Sequence, residues 1–342
     1  MAPKTATSAM ETGHMTLGTA YEDLTIFQQI SPETDAVQGW PLHFPDGSPP
    51  LSPDSTALRS QNWYGFRDPN RSVYVDWVAE AHQNETALAD QLELLDKAVG
   101  SGGVDPDWLR EGIAGVAAVL PYADRSYFRV LSRAQRLALS DTVTLALVFG
   151  AADALRHVEH AAAQRAAIES SSGEATFSAV EHAWTAGAGW QPFRSAVEQV
   201  LATSDWVEAL FAVNTILEPL VGRFLRLHYL ERGGRRYGDT YTISATATWL
   251  QDRDRAGRWT FALIDHLLAD PEYGAANRVI LTDWANRWEA RASEAVAALS
   301  AHLGEFTTAP DGLDEAWADV VHTYRREVGD RWATKLTATG LF

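Results

Sequence analysis

The sequence predicts an all-α fold, and three observations support this prediction. Apolar residues recur at steps of three and four in several long segments, as on the buried face of a helix. No segment keeps the apolar–polar alternation of a half-buried strand. Gly and Pro residues separate the periodic segments, which is typical of short loops between helices. We therefore expect a helical bundle preceded by an extended N-terminal arm.

Length, charge and residue usage exclude several classes of protein. The chain has 342 residues, no cysteine and a net charge of −17 that is spread along the sequence. The acidic charge argues against nucleic acid as a partner, because phosphate binding needs clustered Lys and Arg. The absence of cysteine excludes disulfides, thiolate metal sites and iron–sulfur clusters in this chain. No apolar run is long enough to span a membrane and no secretory signal is present, so we expect a cytoplasmic protein.

The first 69 residues lack a lasting helical period. Residues 1–20 are small and polar, and we expect them to form a flexible tail. Residues 21–69 are rich in proline, which disfavours helix interiors and central strands, and we expect an extended arm. The arm carries Tyr21, Phe27 and Trp40, and is too apolar for a disordered linker. It could pack on its own domain or on a partner chain, and the residues leave both possibilities open.

The arm ends in an aromatic block at residues 61–69, with the sequence QNWYGFRDP. Four large side chains, Trp63, Tyr64, Phe66 and Arg67, fall within five positions. Aromatic residues and Arg are the usual anchors of protein–protein interfaces, so we predict that this block contacts a partner. The alternative is a local aromatic cluster that caps the following helix.

Helices are predicted for the rest of the chain, residues 70–342, which we treat as one domain. Several of these helices are separated by Gly or Pro residues, at Gly102-Gly103, Pro121, Asp270-Pro271 and Pro310-Asp311-Gly312. A helix should begin at Asp105-Pro106, which supplies the preferred N-cap and first-turn residues. The predicted helices cover residues 70–99, 105–120, 124–139, 141–164, 177–184, 191–202, 205–230, 240–268, 272–303 and 311–334.

The segment 141–164 carries two stripes at helical spacing. One stripe is apolar and is predicted to be buried: Leu145, Val148, Ala152, Leu155, Val158 and Ala162. The other is polar: Asp153, Arg156, His157, His160 and Gln164. Acidic and imidazole side chains on one helix face are the elements of a di-iron site in a four-helix bundle. Hydrogen-bonded and ion-paired groups between packed helices would give the same pattern, and we favour this interpretation.

A test of spacing argues against a di-iron site. Such a site needs two Glu-x-x-His motifs plus two further Glu residues on separate helices. Three positions before His157 the sequence has Ala154. The only Glu-x-x-His match joins Glu11 and His14, in the tail and with Gly13 between them. The frame of a metal site is therefore present while its ligands are not.

Two further segments suggest chemistry less strongly. Glu218 is a single acid among apolar residues, and we expect it to be buried and paired with an Arg, with Arg223 the nearest candidate. Residues 231–238, ERGGRRYG, are predicted to break the helix. They are not a phosphate loop, because the spacing is wrong and no strand precedes them.

Several blocks of this sequence resemble the β (small) subunit of the hydroxylase in soluble bacterial multicomponent di-iron monooxygenases. They are YEDLT at 21–25, QGW at 38–40, WYGFRDP at 63–69 and ADALRH at 152–157. The resemblance covers roughly residues 20–335 and is closest in style to alkene and propane monooxygenases. It implies a ferritin-like bundle. Ala154 and His157 would occupy the degenerate positions of a di-iron motif that is complete in the α subunit.

The resemblance also implies a function and a set of partners. The chain would have no catalytic, cofactor or metal residues of its own, and would support a di-iron α subunit that inserts one oxygen atom of O2 into a small hydrocarbon. A coupling protein and an NADH-oxidising flavin/iron–sulfur reductase would complete the system. Two alternatives belong to other classes. One is a self-sufficient di-iron oxidase that uses Glu218, His157 and scattered acids, and the other is a helical binding module unrelated to redox chemistry.

Overall fold

A computed structural model gives the fold, and it describes residues 19–25, 47, 49, 51–172 and 174–337. The described residues form helices and contain no strand, which confirms the all-α prediction. Phe27 and Trp40 lie outside the described residues.

Eleven helical segments, named α1 to α11 in chain order, make up the described chain. They are α1 (Ala20–Thr25), α2 (Tyr74–Gly100), α3 (Pro106–Trp108, continued by π-helical Leu109–Ala117), α4 (Pro121–Leu137), α5 (Asp141–Ser172), α6 (Val180–Ala186), α7 (Gln191–Ala202), α8, α9 (Thr240–Leu268), α10 (Gly274–Gly304) and α11 (Leu313–Val328). The segment α8 begins as Trp206–Phe211, continues through the π-helical stretches Ala212–Gly222 and Phe224–Glu231, and ends as Arg232–Tyr237. Short 3-10 turns occur at Pro53–Ser55, Trp63–Gly65, Glu174–Phe177 and Ala188–Trp190.

The long helices surround a common centre. Helix α5 packs along α4 and α2, while α9 packs against α2, α5 and α8. Helix α10 lies on the other side of α8 and contacts α7. Aromatic side chains fill the spaces between helices, and every described tryptophan except Trp77 is buried. The high tryptophan content therefore serves the core of this chain. None of the helices in the described ranges is long and apolar enough to cross a lipid bilayer.

The predicted break at residues 231–238 is wrong, because Arg232–Tyr237 is helical. A Cβ on Gly233 would lie 2.1 Å from Cζ3 of Trp108, so glycine permits close packing of this helix on the Trp108 ring. The helix ends at Gly238, whose φ of 77° is a left-handed conformation that glycine adopts without strain. The two adjacent glycines thus serve helix packing, while Gly238 provides the termination.

The described end of the arm is part of the domain. Leu58, Trp63 and Phe66 are buried in the main core. The backbone N–H of Arg59 donates to Oδ1 of Asn277 at 3.0 Å, and Nδ2 of Asn277 donates back to the Arg59 carbonyl at 2.8 Å. Further upstream, the Tyr21 hydroxyl accepts a hydrogen bond of 2.9 Å from the Asp68 backbone N–H. In the described residues the arm therefore packs on its own domain.

Helix α5 presents its polar stripe to the interior, and the prediction that its apolar stripe is buried is wrong. Asp153, Arg156, His160 and Gln164 are buried, while Leu155 is 38% exposed and Ala162 is also exposed. The remaining members of the apolar stripe are only half-buried: Leu145, Val148, Ala152 and Val158. Helical period detects both stripes equally well, but it does not tell which of them meets complementary groups on neighbouring helices.

Candidate functional site in the centre of the bundle

The buried polar stripe of α5 meets side chains from α2 and α9. Asp153 accepts a hydrogen bond of 2.9 Å from Nε1 of Trp77 on α2. Its other oxygen accepts one of 2.7 Å from Nη2 of Arg255 on α9. The same guanidinium reaches Oδ1 of Asp252 at 2.5 Å and Oε2 of Glu80 at 2.9 Å. Arg255 therefore connects three carboxylates on three helices.

His157, one of the two degenerate positions, is paired with an acid from α9. Its Nε2 lies 3.1 Å from Oδ2 of Asp252. Nη1 of Arg156 lies 3.4 Å from the same oxygen. Because an ionised carboxylate accepts hydrogen bonds only, His157 donates through Nε2. The histidine is thus held as a hydrogen-bond partner of Asp252.

The outer part of the stripe continues the network. Glu85 on α2 accepts from Nε of Arg156 at 2.9 Å and from Nε2 of His160 at 2.8 Å. Gln164 donates to the Thr242 hydroxyl at 2.7 Å. The prediction that this stripe consists of hydrogen-bonded and ion-paired groups between helices is confirmed.

A second buried cluster lies between α4, α8 and α9. Asp124 accepts two hydrogen bonds from Nη2 of Arg226, at 2.6 and 2.8 Å. Glu218 accepts one of 2.7 Å from Nε1 of Trp249. The expectation that Arg223 pairs with Glu218 is wrong, because Arg223 donates to Glu327 at 2.6 Å. Arg226 is the cation that acts on Glu218 electrostatically. The side chains that face a buried acid across the bundle decide its partner, so the nearest Arg in sequence is not the partner.

Burial and charge shift the pKa values of these groups in different directions. Burial, with the neighbouring Asp252 carboxylate, raises the pKa of Asp153. Burial would also raise the pKa of Asp252, but the hydrogen bond from His157 and the charges of Arg255 and Arg156 outweigh it, so this pKa is lowered. Burial raises the pKa of Glu218, and burial lowers the pKa of His160. Two carboxyls of one network thus differ in their tendency to hold a proton.

These residues do not fit a metal centre. In the described chain, no group of three or more His, Asp or Glu side chains is arranged so that it could hold a metal ion. Asp153, Asp252 and Asp124 instead have guanidinium partners, Arg255 and Arg156 in one cluster and Arg226 in the other, while Glu218 is hydrogen-bonded to Trp249. Ala154 lines the centre without offering any ligand atom. Arginine therefore neutralises three of the four central acids, and no catalytic step follows from this donor set.

The structure places the proposed interface residues in different environments. Tyr21, Trp63 and Phe66 are buried in this chain, with Trp63 only 9% exposed and its ring 5.8 Å from that of Trp206. Their burial matches the local-cluster alternative. Tyr64 is half-buried and Arg67 is exposed. Arg67 folds back onto its own backbone and donates to the carbonyls of Tyr64 and Phe66.

Sequence reasoning missed several residues that build the centre. Asp252 and Arg255 form an i, i+3 pair on α9, and Glu80 and Glu85 lie on α2. Charged residues at helical spacing inside otherwise apolar helices were the available signal. Their partners lie on other helices, and one sequence does not indicate those pairings.

Comparison with known proteins identifies the family. Residues 40–271 match the family model described as Methane/Phenol/Alkene Hydroxylase. The small subunit of the hydroxylase component of propane 2-monooxygenase from Mycolicibacterium smegmatis is 30% identical over 308 residues, which cover 88% of this chain and 83% of the relative. The β chain of methane monooxygenase component A from Methylococcus capsulatus is 28% identical, with 92% and 82% covered.

A solved structure shows the same fold. The chain superposes on a chain of phenol hydroxylase from Pseudomonas sp. OX1 with a TM-score of 0.80 at 18% identity, covering 98% of this chain and 97% of the other. Together with the helical fold of the described residues, these comparisons classify the protein. The chain belongs to the methane, phenol and alkene hydroxylase family, as a small or β subunit of the hydroxylase component.

Proposed function

We propose that this chain is the structural, non-catalytic β subunit of a di-iron hydroxylase. The hydroxylase inserts one oxygen atom of O2 into a small hydrocarbon, by alkene epoxidation or alkane hydroxylation, and its iron lies in the large α subunit. The names of the relatives support the role of a hydroxylase subunit in hydrocarbon oxidation. The assembly acts in the cytoplasm with a coupling protein and an NADH-oxidising flavin/iron–sulfur reductase.

One observation supports the non-catalytic role most directly. Asp153, Asp252 and Asp124 in the centre of the bundle have arginine partners, and Ala154 occupies the position of a motif glutamate. A guanidinium remains protonated under all ordinary conditions, so it neutralises a carboxylate permanently and repels a metal cation. The ion pairs of such a centre hold the helices together, and the oxidation of the hydrocarbon takes place in the α subunit.

Metal analysis of the separated subunits tests the proposal. The hydroxylase is purified as a complex, its subunits are separated, and iron is measured in each after reconstitution with ferrous iron. We expect iron in the large subunit and essentially none in this chain. About two irons bound to this chain would support the alternative, a self-sufficient di-iron oxidase that uses Glu218 and His157.

We also propose where the large subunit docks. Exposed side chains of partly or wholly apolar character occur over residues 67–78, beside the half-buried Tyr64: Arg67, Tyr74, Val75 and Val78. On α2, Tyr74 is 66% exposed and Val75 is 74% exposed, so two large apolar residues adjacent in sequence are open to solvent at the start of a long helix. Contact with the α subunit would remove them from water.

A matched pair of valines tests the docking surface. Val75 and Val279 are both exposed and helical, at 74% and 71%. We expect Val75→Asp to weaken association with the large subunit at least tenfold, because a charge is then buried in the interface without a partner. Val279→Asp, on α10, should leave the affinity unchanged. Equal affinities for the two variants, measured by titration, would place the interface elsewhere.

A further inference from the structure

Two cavities lie end to end in the centre of the bundle. The first is lined by Asp124, Tyr127, Glu218 and Arg253, and the second by Gln164 and Arg226, among others. His157 and Trp249 line both and form the wall between them. Each cavity leaves about 40 Å³ in which the centre of a water molecule can move. A single water needs about 10–15 Å³ on this measure, so each cavity has room for about two or three.

Polar atoms without protein partners belong to side chains that line these cavities. Within the described residues, the Tyr127 hydroxyl and Nε of Arg253 are buried and form no hydrogen bond, and both residues line the first cavity. Arg226 lines the second cavity, and its Nε is also buried without a hydrogen-bond partner. A buried donor without an acceptor costs roughly 1–3 kcal/mol, so three such donors around two adjacent cavities require an explanation.

The lining offers the acceptors and donors that water needs. Asp124 and Glu218 are carboxyls in the first cavity, and the hydroxyl of Tyr127 both donates and accepts. Glu218 belongs to the core of α8, yet its side chain retains surface that a water-sized sphere can touch. Water is stable in a cavity when it finds two to four polar partners. The first cavity meets this requirement.

We propose that the two cavities hold a cluster of internal water that hydrogen-bonds to Tyr127, Arg253 and Arg226. Water is favoured over the other small ligands by the charges of the walls. Arg226 and Arg253 disfavour a metal cation, while Asp124 and Glu218 disfavour an anion. An apolar molecule would leave the three donors unpaired. This inference does not depend on the function proposed above.

Crystallography of the full-length protein, in whatever complex it is purified, tests the proposal. At a resolution of about 1.8 Å or better, we expect ordered water within hydrogen-bond distance of the Tyr127 hydroxyl. Xenon occupies dry, apolar cavities, so crystals pressurised with xenon should show none at this position. Xenon in the cavity, a bound metal ion, or no ordered water near Tyr127 would each overturn the proposal.

The variant Tyr127→Phe provides a test in solution, with Tyr324→Phe as the matched control. The Tyr324 hydroxyl is buried and donates to Glu289 at 2.7 Å, so its removal must lower the melting temperature. If water pairs with the Tyr127 hydroxyl, Tyr127→Phe also lowers the melting temperature, by about 1–3 °C. If the hydroxyl is truly unpaired, its removal relieves a penalty and raises the melting temperature. A rise would therefore contradict the water cluster.

Discussion

Arg255 donates a hydrogen bond of 2.7 Å to Asp153, a residue that lies 102 positions earlier on another helix. Both side chains are less than a tenth exposed. Such a buried pair is stable only if both charges are compensated, and here Asp252 and Glu80 complete the set around the guanidinium. The pair fastens α5 to α9 in the centre of the bundle.

Removal of the central cation should destabilise the fold strongly. Arg255→Ala leaves Asp153 and Asp252 buried without their main cation, and we expect a loss of roughly 3–5 kcal/mol in the free energy of unfolding. Urea titration measures it. The control is Arg235→Ala, which breaks an exposed pair with Glu231 and should change stability by no more than about 0.5 kcal/mol. Similar losses in both variants would contradict the role assigned to Arg255.

Glu218 should make stability depend on pH. Burial raises its pKa in the folded state, so the proton it holds contributes stability below the unfolded pKa, and that contribution is lost as pH rises through the folded pKa. Glu218→Gln mimics the protonated carboxyl and cannot ionise. We therefore expect the stability of this variant relative to wild type to increase between pH 5 and pH 8, as measured by urea titration.

A neighbour on the same helical segment serves as the control for that experiment. Thr215→Val introduces no titratable group, and its stability relative to wild type should be the same at both pH values. The Thr215 hydroxyl donates to the Phe211 carbonyl within the helix. A pH-independent difference for Glu218→Gln would show that Glu218 ionises in the folded protein as it does in the unfolded chain.

Restoration of one motif residue should not restore a metal site. Ala154→Glu recreates Glu-x-x-His with His157, but a second motif is missing from the sequence and arginines already pair with the nearby acids. We expect no gain of iron after reconstitution, and a loss of roughly 3 kcal/mol or more in stability because a carboxylate is buried without a partner. Ala162→Glu on the exposed face of α5 is the control and should change stability little. Stoichiometric iron in Ala154→Glu would show that the centre retains a usable ligand frame.

Trp63 and Phe66 should behave as core residues. Both are buried, and Trp63 lies against the ring of Trp206. Trp63→Ala should lower the free energy of unfolding of the chain by roughly 3–5 kcal/mol, the range for large aromatic truncations. Arg67→Ala, with an exposed side chain in the same block, should leave the melting temperature within a few degrees. Thermal unfolding distinguishes the two variants. An unchanged melting temperature for Trp63→Ala would contradict the core role and support the prediction that Trp63 contacts a partner.

The sequence by itself determined the fold class and the failure of the metal motif. Helical period marks long helices reliably because a 3.6-residue repeat extends over many turns. The absence of Glu-x-x-His around His157 is a property of residue identity at fixed spacing, so no tertiary information was needed to recognise it. The family resemblance, which rested on blocks such as 63–69 and 152–157, was confirmed by the comparisons.

Only the tertiary structure decided which face of α5 points inward and which charges pair. Burial of Asp153 and His157 depends on Arg255 and Asp252, and these lie about a hundred positions away along the chain. Glu218 likewise faces Trp249, 31 positions away on α9, as well as Arg226. A buried charge is tolerated only where the fold supplies a partner, and that partner is a property of the assembled bundle.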